Sequence, residues 1–147
     1  MKRVSIQTED FDAATELAAL EGCCGGGVAS FTGIVRGEQG LVALELQHYP
    51  AMTLAQVERI VEDAMTRWPL LGVRVIHRFG RLEPGGRIVF VGTASRHRTA
   101  ALERCAFLID WLKSHAPFWK KEHFSDGETR WVDARAEDEA KARDWLR

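Results

Sequence analysis

The chain has 147 residues, of which 46% are hydrophobic and 28% charged, and its formal net charge is −1. These totals describe one ordinary globular domain over residues 1–147, large enough to bury a single core. Near-neutrality excludes a general nucleic-acid binder, whose domain is clearly basic, and no apolar run reaches the ~20 residues that cross a bilayer. The opening MKRVSIQTED has basic residues but no apolar segment, so no signal peptide is read there and a cytoplasmic location follows by default.

Residues Val4 to Gln7 alternate and predict a short first strand. Asp10 then predicts a helix cap, with Phe11, Ala14, Leu17 and Ala18 on one helical face and Gly22 as the stop. The pair Cys23-Cys24 has two readings, small apolar filler or a sulfur-carrying site. With Cys105 the cysteine count is odd, which does not suit a disulfide framework. No CxxC or HxxxH spacing occurs, so no structural zinc site is expected. Gly25-Gly26-Gly27 lacks the lysine of a phosphate loop and precedes a strand, which favours a turn or a close backbone approach.

Val28 to Arg36 and Leu41 to Tyr49 both read as strands, and the short polar stretch between them predicts a hairpin. Arg36, at the end of the first, reads from position alone as a solvated charge rather than an anion contact. After Pro50, Thr53 with Gln56 forms a capping box for a helix carrying Leu54, Val57, Val61, Ala64, Met65 and Trp68 at helical spacing, ended by Pro69. Val73 to Phe79 is a strand in which His77 reads as a satisfied structural histidine. A turn at Leu82 to Gly86 leads into Arg87 to Ala94, an almost unbroken apolar strand that belongs in the middle of a sheet.

The stretch from Arg96 to Glu122 carries the chemistry. Its helix buries Ala101, Cys105, Leu108 and Leu112, and Cys105 is core. Arg96, His97 and Arg98 precede the free backbone N–H groups of its first turn, an arrangement that suits phosphate or carboxylate. A plain surface charge cluster is the competing reading. At the far end Lys113 is followed by Pro117, which stops the helix, and then by Lys120 and Lys121 among Trp111, Phe118 and Trp119. A lysine half-buried among cations has a lowered pKa and serves as nucleophile or acid–base catalyst, so Lys113 and Lys120 are read as converging on one pocket. His97 and Lys113 lie ~24 Å apart along a helix. One small ligand reaches both only if a second copy of the chain supplies His97 and Arg98. Beyond the helix come a turn at Ser125-Asp126-Gly127, a short strand Arg130-Trp131-Val132, and from Ala136 a solvated helix with charged pairs at i,i+4.

The segments FTGIVRG (31–37), LELQHYPAM (44–52), HRFGRLEPG (77–85), SRHRTAA (95–101), DWLKSHAPFWKKE (110–122) and WVDAR (131–135) occur in one order across most of the chain. In these the sequence resembles the large, catalytic subunit of molybdopterin synthase. The resemblance implies an α+β fold of the α/β hammerhead type, with an antiparallel sheet and packed helices. It implies a homodimer at the centre of a heterotetramer, each copy binding a small ubiquitin-like sulfur-carrier subunit through its C-terminal Gly-Gly thiocarboxylate. It implies transfer of two sulfurs to cyclic pyranopterin monophosphate (precursor Z), giving the molybdopterin dithiolene, with no cofactor or metal. Carried over by position, Lys113 and Lys120 are the catalytic residues. Arg36, His97 and Arg98 hold the anionic substrate, the last two from the neighbouring copy, while Ile34, Val35, Lys121 and Glu122 line the pocket. Ala51 and Gln47 depart from the family pattern, outside the lysine segment. Two other functions remain open from sequence: a non-catalytic module that binds an anion or a ubiquitin-like tail, and a sulfurtransferase acting through Cys23 or Cys24.

Overall fold

A computed structural model describes residues 2–132. The helix expected from Ala136 onward lies outside the described residues. In chain order the elements are β1 (Lys2–Gln7), α1 (Ala13–Glu21), β2 (Gly27–Ile34), β3 (Leu41–His48), α2 (Pro50–Arg67), β4 (Leu70–Arg78), β5 (Gly80–Leu82), β6 (Arg87–Ser95), α3 (Arg98–Ser114), β7 (Phe118–Phe124) and β8 (Thr129–Val132).

The strands form two sheets of four, in the orders β1-β4-β6-β2 and β5-β3-β7-β8. Only the β1–β4 pair is parallel, and the remaining pairs are antiparallel. The apolar strand β6 is internal to its sheet, flanked by β4 and β2, as its composition predicts. Alternation along the strands divides that sheet's side chains between two cores. Val73 and Val75 of β4 and Val89 and Val91 of β6 pack with Val57, Val61 and Ala64 of α2 and Leu108 and Leu112 of α3. Ile76, Phe90 and Ala94, on the opposite face, pack with Phe11 and Leu20 beside α1. A third cluster, Val35, Leu46 and Leu82, joins the second sheet to the first, with Ile88 and Phe118 against it.

The hairpin expected between residues 28–36 and 41–49 does not form. β2 pairs with β6, and β3 pairs with β5 and β7. A register irregularity at Gly33/Ile34 ends β2. Beyond it, Val35 donates its N–H to the Gly86 carbonyl at 2.8 Å and accepts from the Gly85 N–H at 2.9 Å. Val35 is thereby pinned to the β5–β6 turn, and the chain after it crosses to the other sheet. Adjacency in sequence favours pairing by default, and nothing in residues 37–40 signals the crossing.

Helix starts also differ from expectation. Asp12, not Asp10, caps α1, accepting from the Ala14 N–H. Asp10 instead accepts from the Phe11 N–H at 2.8 Å and pairs with Arg87 at 3.0 Å, and these interactions lower its carboxyl pKa. The buried side of α1 is Leu20 with Leu17 and Ala13, leaving Ala14 and Ala18 exposed. In α2, Pro50 takes the first turn and Tyr49 the cap position, so Thr53 is no capping residue. Its buried hydroxyl donates back to the Tyr49 carbonyl at 2.9 Å. Leu54 lies on the exposed side.

Residues 118–124, read only as aromatic and basic residues after the helix, form β7. Pro117 disfavours helical backbone at Ala116. α3 stops at Ser114 with the His115 N–H donating to Trp111, and the chain reverses into the second sheet.

Candidate functional site

The end of α3, the inner face of β3 and β7, and the connection after β2 enclose a pocket of about 340 Å³, within the ~300–1,000 Å³ of small-molecule sites. Lys113, Lys120, Arg36, Glu38 and Glu122 supply its charge, and Ile34, Val35, Ile88 and Phe118 its apolar wall.

Each charged group arrives by a different local cause. Lys113 is in the last turn of α3, where a cation also complements the helix dipole. It is exposed, and its ammonium stands over the Phe31 ring at 5.9 Å. Lys120 arrives on β7, where it lies opposite Leu46 of β3 and on the same face as Phe118 and Glu122. Glu122 accepts two hydrogen bonds from Arg130 of β8, at 3.1 and 3.0 Å. With that carboxylate engaged, the cations dominate the pocket. Arg36 reaches it because anchoring Val35, only 2% exposed, turns its neighbours Ile34 and Arg36 outward on the pocket side. What position alone suggested was a solvated charge is therefore a lining residue.

The sequence-predicted residues separate into two groups. Ile34, Val35, Arg36, Lys113, Lys120 and Glu122 meet in this one pocket. Lys121, His97 and Arg98 do not. A strand sends successive side chains to opposite faces, so Lys121 lies on the outer face of β7, its ammonium 5.4 Å from the Trp131 ring centroid. His97 caps α3 through its backbone, and both His97 and Arg98 are exposed at the helix end opposite Lys113. The glycine run is used for close approach. A Cβ on Gly26 would overlap the Arg96 carbonyl, and one on Gly27 would lie 3.4 Å from the Arg98 Cα. Cys23 and Cys24 line neither this pocket nor the cavity beneath it. Among the described residues, no group of three His, Cys, Asp or Glu is placed to hold a metal ion.

The pocket continues inward to a smaller cavity of about 70 Å³, reached past Lys113, Lys120 and Phe118 and floored by His77. His77 is 5% exposed, and its ring stacks on Phe118 at 3.8 Å between centroids and 13° between planes. On its far side Phe118 meets His48, at 5.7 Å between centroids, and His48 in turn meets Phe79 at 4.3 Å. Burial lowers the His77 pKa to about 3, and the ammoniums of Lys120 and Lys113 add to the effect. Burial also lowers the pKa of His48. Both rings are neutral at neutral pH. Sequence reading missed this floor. The available signal was that His48 and His77 each share the apolar face of an alternating strand.

Fold and site together define an α+β protein with a pocket lined by lysines and an arginine at the junction of two sheets. The model described as MoaE protein matches residues 6–115, and the chain belongs to that family. It is 54% identical over 146 residues to a protein of Mesorhizobium japonicum named molybdopterin synthase catalytic subunit, covering 97% of this chain and 92% of that one. Among solved structures it is similar to the molybdopterin biosynthesis MoaE protein of Burkholderia ambifaria. Their TM-score is 0.84 and their identity 45%, over 100% of this chain and 99% of the other. A structure of molybdopterin synthase from Staphylococcus aureus aligns with a TM-score of 0.80 at 27% identity, over 90% of this chain and 98% of that one. No helix among the described residues is long and apolar enough to cross a membrane.

Proposed function

We propose that the chain is the catalytic subunit of a molybdopterin synthase. It transfers two sulfurs from the thiocarboxylated C-terminus of a small ubiquitin-like subunit to cyclic pyranopterin monophosphate, forming the molybdopterin dithiolene. The observation that carries this reading is the meeting of Lys113 and Lys120 with Arg36 in one pocket, in a chain that belongs to the MoaE family.

Arg36 and the lysines match the charge of a cyclic phosphate, and an arginine fork suits phosphate geometry. The carrier's tail enters beside Lys113, whose exposed amine is accessible to the terminal carbonyl. In each transfer sulfur bonds to a substrate carbon, an oxygen substituent of that carbon is displaced and takes up a proton, and water then cleaves the acyl carbon–sulfur bond, leaving sulfur on the substrate and completing the carrier's carboxylate. Lys120, on the inner wall, donates to the oxygen on which negative charge develops. Sulfur arrives on the partner, so the reaction draws on no metal or cofactor of this chain.

His97 and Arg98 join the site from a second copy of the chain. α3 runs from Arg98 to Ser114, so its two ends are ~24 Å apart at 1.5 Å per residue, too far for one small phosphate ester. The working assembly is a central homodimer with one small subunit on each copy, placed in the cytoplasm. Lys121 faces away from the pocket within one copy and is assigned to its rim, against the small subunit's tail.

The test is to mix the purified protein with thiocarboxylated small subunit and precursor Z and to measure molybdopterin. Wild type and the Cys23→Ser/Cys24→Ser double variant should turn over alike, because neither thiol lines the pocket. Lys120→Ala should lose ~10²-fold or more in kcat. Bound substrate with no product at any protein concentration would instead mark a non-catalytic binding module, and loss of sulfur transfer in the cysteine variant would mark a thiol route.

A further inference from the structure

One ion pair beside the pocket has no part in the proposed reaction. Glu122 lines the pocket from β7, and its side chain is only 13% exposed. Arg130 of β8 donates to one oxygen of that carboxylate twice, from Nε at 3.1 Å and from Nη2 at 3.0 Å. The register that makes this contact is fixed locally. In the β7–β8 turn Gly127 takes a φ of +89°, and the Phe124 N–H donates to the Glu128 carbonyl at 2.9 Å. Pairing outward from that bond sets Glu122 directly opposite Arg130. The guanidinium also stands over the ring of Phe124, at 5.3 Å, which leaves β7 on the same face as Glu122.

Folding stability gives the pair little purpose. Arg130 is 65% exposed, and an ion pair with one partner in water contributes little to stability. Its effect on the pocket is larger. Arg36, Lys113 and Lys120 line that pocket with positive charge, and Glu38 and Glu122 with negative. Glu38 is exposed, so water weakens its field. The Glu122 carboxylate is shielded, and unpaired it would repel an arriving phosphate or thiocarboxylate. Arg130 is not among the lining residues, so it acts on a bound ligand through Glu122.

We propose that Arg130 is a positioning residue for substrate binding: it holds and neutralises the Glu122 carboxylate, and thereby sets the pocket's affinity for its anionic substrate without entering the chemical step. This rests on the reading of the pocket given above, in which a cyclic phosphate is bound beside Lys113 and Lys120. The Glu122 carboxylate is oriented toward β8 by two donors before substrate arrives, and the cations of the wall are left to the ligand.

The test is steady-state kinetics with thiocarboxylated small subunit and precursor Z, comparing wild type with Arg130→Ala, Glu122→Gln and the double variant. Arg130→Ala should raise the KM for precursor Z about 5- to 20-fold at low ionic strength and leave kcat within about twofold. The rise should shrink as salt is added, because screening weakens the repulsion. In the Glu122→Gln background, loss of Arg130 should change KM by about twofold at most, since no carboxylate is left to neutralise.

A wild-type KM in Arg130→Ala overturns the inference. So does a rise that persists undiminished in the Glu122→Gln background, which would mean that Arg130 meets the ligand directly. Neither outcome touches the Lys120→Ala loss by which the proposed function is tested. If the wild-type protein turns over none of these reactants, the Kd of inorganic phosphate, measured by calorimetry without the small subunit, decides the inference separately. It should rise in Arg130→Ala and return in the double variant. An unchanged Kd, or no phosphate binding by wild type, refutes the role given to Arg130.

Discussion

At the scale of single residues, burial and hydrogen bonding decide more than residue type. The chain contains five histidines, and two of them, the half-buried His48 and the buried His77, stand against the same phenylalanine. For His77 the sign of the pH effect is fixed. The unfolded chain takes up a proton as pH falls through the ordinary histidine value of 6.5, while the folded chain resists until about 3. Between those limits the unfolded state binds more protons, so stability drops as pH falls. At pH 5 the loss relative to pH 7 is about 2 kcal/mol from this group alone. Urea unfolding at the two pH values should show it, and His77→Phe should flatten the difference. An equally steep dependence in that variant would place the acid sensitivity elsewhere.

At the scale of elements, one packing contact and one strand alternation make predictions. One is the approach of α1 to β6. Gly92 faces α1, and a Cβ there would lie 2.8 Å from the Phe90 ring and overlap the Leu20 side chain. Gly92→Ala should therefore destabilise the fold by ~1–3 kcal/mol, read as a lower urea midpoint with an unchanged slope. A midpoint equal to wild type would show that α1 does not seat on β6 in this way. The other is β7, where period-two alternation gives adjacent lysines different duties. Lys120→Ala should lower kcat by ~10²-fold or more. Lys121→Ala should keep kcat within a few fold and act through KM for the small subunit, because its ammonium lies on the outer face over Trp131. Equal kcat losses in the two variants would mean that both reach the reacting atoms.

At the scale of the whole molecule, the unresolved distance is the length of α3. Lys113 and Lys120 are at one end, His97 and Arg98 at the other, and one chain cannot join them. A shared pocket makes a specific prediction. Arg98→Ala and Lys120→Ala homodimers should each be nearly inactive. Mixed one to one and allowed to exchange subunits, they should recover about a quarter of wild-type activity, since half the dimers are hybrids and each hybrid has one intact pocket. Pockets built within single chains would recover nothing.

What the chain order alone determined was the kind and sequence of most elements. Apolar alternation placed β4 and β6, helical spacing gave the buried stripes of α2 and α3, and Pro117 marked where α3 ends. The motifs from Ser95 to Glu122 carried much of the family resemblance, and that resemblance, rather than period or capping, pointed to Ile34, Val35, Arg36 and Glu122 beside Lys113 and Lys120. These signals are local: period, capping and breakers act within a few residues. Which strands pair was decided by tertiary structure. The crossing at Val35 depends on hydrogen bonds to Gly85 and Gly86, fifty residues away in sequence, and it moved Arg36 from a solvated strand end into the pocket. The separation of Lys120 from Lys121 followed once β7 existed, and β7 exists because β3 offers it an edge. His77 was legible as buried, but what it faces was not. A strand's period says which side a residue takes, whereas the neighbour across the core is set by packing between elements that the sequence keeps far apart.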